Sequence, residues 1–230
     1  MEIEGRGFFD WDEASKEIGW VSRPEGLCVL PYWLLAQVLP LFLHSAGAFT
    51  LLHAGCVEIG GRGVAFLGGN GAGKTTLTGF ALGQGHRLVC DDKLPLVRSG
   101  GEWRALPAHP YRRPERLPES LGHPAEAFVE GPVPLALFCL LHPVPASCPP
   151  RVRPAPARDA LLQLCAHRSA RFRWREKPDL DRLARLAGDL PVVWLEVPRD
   201  PGKLGAVWAL LRRCLDDRGL GGSFSEEESR

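Results

Sequence analysis

Residues Gly68-Gly-Asn-Gly-Ala-Gly-Lys-Thr75 fit the spacing G-x-x-x-x-G-K-[ST], and no other stretch constrains the fold as tightly. Such a loop works only between a buried strand and a helix start. Its glycines let successive backbone N–H groups converge on a phosphate, and the helix N-terminus adds its positive end. Both flanks are present: Gly63-Val-Ala-Phe-Leu67 reads as an apolar strand, and Gly73 to Gly83 as a helix. Gly68, Gly69, Asn70, Gly71, Ala72, Gly73, Lys74, Thr75 and Thr76 therefore form the candidate phosphate site, with Lys74 reaching the β- and γ-phosphates and Thr75 a magnesium ligand.

The neighbouring sequence is punctuated like a β-rich α/β domain. Strands are expected at 48–52, 56–59, 63–67 and 87–90, with a hairpin turning at Gly60 to Gly63. Arg87-Leu-Val-Cys-Asp91-Asp92 is a short apolar strand ending in two carboxylates, and Asp91 follows Lys74 by only seventeen residues. Adjacent side chains at a strand end point in different directions, so one carboxylate can serve a metal while the other addresses a second substrate. His53 closes the strand before the hairpin, where spacing alone makes it an ordinary core histidine. Downstream, Pro107 to Pro118 reads as a loop, Pro134 to Leu141 as a buried strand and Pro143 to Pro156 as a connection. Ala157 to His167, Leu180 to Ala187 and Lys203 to Leu215 read as helices, and Pro191 to Val197 as a strand.

Composition excludes other classes. At 230 residues, 45% apolar and 24% charged, the chain can bury one sizeable core, so 1–222 is read as a single domain and 223–230 as a disordered tail. The net charge of +1 argues against a nucleic-acid partner. Seven cysteines with no C-x-x-C pair argue against a disulfide framework or zinc cage and fit a reducing, cytoplasmic setting. Gly26 to Val57 carries no Asp, Glu, Lys or Arg, but Pro31 and Pro40 interrupt it. Within the lead-in 1–47 it reads as a buried helix over Tyr32 to Leu43, followed by a strand, and not as a membrane span. Arg151 to Arg175 holds seven arginines against one acid, Asp159, and could bind an acidic peptide, a phosphate-bearing metabolite or nucleic acid, or simply be solvated.

Taken together, His53-Ala-Gly55, the loop Gly68 to Thr75 and Leu88-Val-Cys-Asp91-Asp92 resemble the catalytic domain of HPr kinase/phosphorylase. Ala105-Leu-Pro-Ala-His-Pro-Tyr-Arg-Arg113 and Leu190-Pro-Val-Val-Trp-Leu195 look like the small kinases of that superfamily that tailor lasso peptides. The resemblance implies an α/β, phosphoenolpyruvate-carboxykinase-like phosphate-loop domain, with a mixed parallel and antiparallel sheet flanked by helices. It implies ATP and Mg²⁺ as cofactors, Asp91 as the base toward an acceptor hydroxyl, Asp92 as the carboxylate associated with Mg²⁺, and His53 beside the γ-phosphate. Lys74 and Arg112 complete the catalytic set, and Arg113 is a further candidate clamp for phosphate or an acidic acceptor. The expected acceptor is a peptide or protein Ser/Thr, with a small-molecule hydroxyl or a nucleotide-binding ATPase or regulator as alternatives; assembly into a homo-oligomer stays open. Asn70 stands where the family has Ser, and the family's E-[IV]-R-G-L-G segment has no counterpart, which points away from HPr itself.

Overall fold

The computed structural model describes residues 1–12, 14–115 and 117–219; the tail expected to be disordered, 223–230, lies outside the described residues. Its strands are β1 (Glu2–Ile3), β2 (Gly7–Asp12), β3 (Glu17–Ser22), β4 (Thr50–Ile59), β5 (Arg62–Leu67), β6 (Arg87–Cys90) and β7 (Lys93–Ser99). They continue with β8 (Glu102–Ala105), β9 (Tyr111–Arg112), β10 (His123–Pro124), β11 (Val133–Val144), β12 (Arg151–Pro154) and β13 (Val192–Pro198). The main sheet runs β12-β13-β11-β5-β4-β7-β8, with β6 also on β4 and the start of β11 returning to β8. β11 lies parallel to β5 and β13 while its neighbours pair antiparallel, so the sheet is mixed, as expected.

Helices cover both faces. Helices Ala157–Ala166 and Glu176–Asp189 bury Ala160, Leu164, Leu183 and Leu186 against Leu52, Ala54, Leu67 and Phe138. Helices Lys74–Gly83 and Leu204–Gly219 bury Leu77, Ala81, Val207 and Leu211 against Val57, Phe66, Cys139 and Leu195. Strands buried on both faces read as continuous apolar runs, which explains why β5 and β11 are so evident in sequence.

The hairpin lies where expected. Gly60 and Gly61, at φ of +57° and +82°, make the two-residue turn between Ile59 and Arg62, the left-handed pair that matches strand twist. The two strands expected at 48–52 and 56–59 are instead one continuous strand, β4. Its first half pairs with β7 and its second half with β5 and β6, so His53 sits mid-strand and not at a strand end. Gly55 leaves room where a helix crosses β4: a Cβ there would lie 2.9 Å from Thr78 Oγ1. Within the proline-rich stretches the structure adds β9, paired with β10, and β12, paired with β13.

The lead-in differs most from expectation. β1, β2 and β3 form a separate antiparallel sheet, and the helical stretch extends over Pro24–Ser45. Pro40 is absorbed rather than breaking the helix, because a π-helical turn at Trp33–Val38 precedes it and the Leu39 N–H bonds five residues back to Leu34 O. The helix is not a core helix: 22% of its most apolar window is buried, and Leu27 and Leu35 are exposed. By length and a mean hydropathy of 1.8 it is sufficient to cross a membrane. Here its Val38 packs on Phe9 and Ile3 of the small sheet, where Phe9 stacks on Trp20 at 4.2 Å.

The tight crossing at Gly55 gives a direct test. Gly55→Val is expected to lower unfolding stability in urea by about 1–3 kcal/mol, since the added methyls must displace the Lys74–Gly83 helix or the strand.

Candidate active site

Lys74, Thr75, Asp91, Asp92 and Arg113 line one open pocket of about 150 Å³. The loop and first turn arise locally. Gly71 and Gly73 take φ of +76° and +102°, which L side chains rarely adopt, and Gly73 caps the helix in the left-handed region. The Lys74 ammonium, only 3% exposed as a residue, folds back to donate to Gly68 O at 2.5 Å and Gly69 O at 3.2 Å. It is thereby held against the rim of the loop that a phosphate would enter.

The carboxylates arrive by sheet pairing. β6 pairs with the second half of β4, and the Ala54 N–H donates to Asp92 O at 3.0 Å, so the chain leaving β6 stays bound to β4 beside His53. The two neighbours then meet opposite surroundings. Asp91 is 6% exposed; its Oδ2 accepts the Arg113 backbone N–H at 2.9 Å, while Oδ1 is buried with no hydrogen-bond partner among the described residues. Burial pushes the Asp91 carboxyl above its ordinary value, only partly offset by that N–H and by Arg112. For Asp92 burial acts the same way but is overcome: His53 Nδ1 lies 3.2 Å from Oδ1 and Lys93 Nζ 3.4 Å from Oδ2, and these hold it well below the carboxylate range. Neighbouring carboxyls with values driven apart are a recurrent mark of divided acid–base labour.

The sequence-derived set divides in space. Lys74, Thr75, Asp91 and Asp92 come together, and His53 joins them through Asp92. Arg112 lies outside the pocket lining: its Nη2 donates to Thr75 O at 3.4 Å, and its guanidinium lies over Gly79, whose missing Cβ leaves the space. Arg113 takes the pocket position. Its guanidinium donates to Tyr32 Oη at 3.2 Å and Leu117 O at 2.8 Å and stacks 4.7 Å from the Tyr32 ring. Behind this loop Glu119, at a left-handed φ of +51°, accepts from Arg6 at 2.8 Å and Trp33 Nε1 at 2.8 Å, so the N-terminal sheet and helix brace the arginine loop.

Lys93, His109 and His167 were not singled out in the sequence. Lys93 could have been found as a cation directly after the acid pair. His109 is held below its ordinary value by burial, against the pull of Asp91 and Asp92, with Nδ1 buried and unpartnered among the described residues. His167 is lowered by burial and by Lys74 and His53, and its carbonyl accepts the His53 N–H at 2.7 Å. No local signal marks these histidines. The arginine-rich stretch 151–175 is not one basic surface: Arg168 pairs with Glu176 at 3.0 Å and Arg175 with Asp179 at 3.2 Å, both arginines nearly buried.

The donor set suits a hard cation. Thr75 and Asp92 present oxygen in one pocket, as Mg²⁺ prefers, with phosphate and water left to complete the shell. Among the described residues no group of three or more His, Cys, Asp and Glu side chains forms a metal cage of its own.

The ion pair has a signed consequence. A carboxylate held low stabilises the fold above its ordinary value and loses that contribution as pH falls toward its lowered value. Asp92→Asn should therefore lower the melting temperature at pH 8, with the difference from the parent shrinking as pH falls below about 4, as read by melting temperature against pH.

No family model matches this chain, and no curated protein matches it. Among solved structures it is similar to the HPr(Ser) kinase/phosphatase from Coxiella burnetii, with 18% identity over 74% of this chain and 99% of that one and a TM-score of 0.44. A likeness this low does not place the chain in a family.

Proposed function

We propose that the protein is an ATP-dependent, HPr-kinase-like phosphotransferase that moves the γ-phosphoryl group to a hydroxyl, that of a Ser or Thr of a peptide or protein. The observation that carries this reading is the buried Asp91, its carboxyl raised and one oxygen unpartnered, in the pocket that also holds Lys74, Thr75 and Asp92. Phosphoryl transfer needs in-line positioning, cations for the spreading charge and a base at the attacking oxygen. Simple nucleotide binding needs no such base.

The roles follow from each side chain's surroundings. The loop amides from Gly69 to Thr75 and the Lys74 ammonium bind the phosphates, with Thr76 next in the same helix turn. Thr75 Oγ1 and Asp92 would hold Mg²⁺, which when bound neutralises phosphate charge. His53 holds Asp92 in orientation and keeps it ionised. Asp91, once ionised, takes the proton from the acceptor hydroxyl as that oxygen attacks. Arg113 supplies positive charge at the pocket rim, while Arg112 fixes the helix start. Seven free cysteines, three of them fully buried, fit the cytoplasmic setting.

The test uses γ-labelled ATP, Mg²⁺ and pooled peptides and metabolites from the source cell. Label should pass to a hydroxyl; Lys74→Ala should lose nucleotide binding, while Asp91→Asn should keep it and lose transfer by about 10²–10⁴-fold. Transfer at the wild-type rate in Asp91→Asn would remove the assigned base, and release of free phosphate alone would make the protein an ATPase or regulator. Because the base must be ionised, the rate should rise with pH through a value above the ordinary one for an Asp carboxyl.

The same shift predicts a stability gain. A carboxyl raised on folding favours the folded state fully below its unfolded value, and that advantage is lost as pH rises through the folded one. At pH 7, Asp91→Asn is therefore expected to be more stable than the parent by about 1 kcal/mol, measured by denaturant unfolding, while inactive.

A further inference from the structure

A second cavity, of about 200 Å³, opens between the start of β4, the β7–β8 hairpin and helix Glu176–Asp189. It shares no lining residue with the phosphate pocket. Thr50 and His53 are three residues apart on one strand, so their side chains leave opposite faces of the sheet.

The lining is unusual for a surface recess. Arg98, Arg182 and Arg185 contribute three guanidiniums, and Phe49 and Trp103 contribute apolar rings. Asp189, beside the cavity, is already engaged: Oδ2 accepts Trp103 Nε1 at 2.9 Å and lies 3.3 Å from Arg98 Nε. Arg182 donates only to Gly47 O at 3.3 Å, and among the described residues neither Arg182 nor Arg185 is within ion-pair distance of a carboxylate. The two stand one helical turn apart on the same side of their helix. Thr50, 2% exposed, lines the cavity with Oγ1 buried and without a hydrogen-bond partner among the described residues. An orphaned buried hydroxyl is costly unless a ligand or water completes it, and converging uncompensated guanidiniums select an oxyanion.

We propose that this cavity is a binding site for a small oxyanion, the carboxylate or phosphate of a ligand whose apolar part lies against Phe49 and Trp103. Arg182 and Arg185 pair with the anion, the Thr50 hydroxyl donates to it, and Asp189 keeps Trp103 and Arg98 in place. The site is independent of the phosphotransfer reading and stands or falls separately from it.

The experiment is a titration of the full, ¹⁵N-labelled chain with benzoate and with phenyl phosphate, followed at the Trp103 indole N–H and the Thr50 amide. Both signals should move saturably with at least one probe; benzoate binding assigns a carboxylate, and phenyl phosphate binding alone assigns a phosphate. Thr50→Val and, separately, the exposed-site change Arg185→Gln should each weaken that response by about tenfold, while shifts at the Gly71 and Gly73 amides of the phosphate loop stay unchanged. Shifts confined to the phosphate loop, or a Trp103 response equal in the parent and in a folded Arg185→Gln protein, would overturn the proposal.

Discussion

β4 divides its backbone hydrogen bonds among three partners, and the candidate site depends on that division. Its first half is taken by β7, its second half by β5 on one edge and β6 on the other. β5 delivers the phosphate loop and β6 delivers the acid pair, so the two chemical groups meet only because one strand holds both. The Ala54 N–H to Asp92 O bond marks where the chain passes from β6 to β7, and it fixes the acid pair beside His53. Gly55, one residue on, lets the helix bearing Lys74 and Thr78 come close enough to complete the pocket.

Two adjacent carboxyls on one chain would repel if both were held ionised in a dry site. Burial acts on both, and the structure separates them by giving Asp92 the His53 and Lys93 contacts, while Asp91 accepts the Arg113 backbone N–H. A pair divided in this way can hold a metal with one member and keep a basic, poorly satisfied oxygen on the other. The cost of burying Asp91 Oδ1 without a partner is a stability concession of the kind that functional sites retain.

The arginine loop shows how distant sequence supports the pocket. Arg113 N–H positions Asp91, its guanidinium is clamped by Tyr32, and Glu119 ties the same loop to Arg6 and Trp33. The N-terminal sheet and helix therefore act on the site without entering it. Sequence offers both Arg112 and Arg113 as cations for the site, and neighbouring loop arginines are ranked only once the backbone fixes which one turns inward.

The phosphate loop, the Gly60–Gly61 hairpin, β6 with its acid pair and the helices at Ala157–Ala166 and Lys74–Gly83 were legible because each is a local pattern of glycine placement or apolar period. The β7–β8 hairpin, β12 and the small N-terminal sheet were not, since their strands are short or half-exposed and gain stability from pairing partners rather than from their own residues. By itself the sequence determined the α/β class and the placing of a glycine-rich loop between a buried strand and a helix start, both written in contiguous residues. Tertiary structure alone decided that 50–59 is one strand, that Arg113 and not Arg112 lines the pocket, and that His109 and His167 sit by the acid pair and Lys74, because those outcomes depend on which strands pair and what burial surrounds each charge.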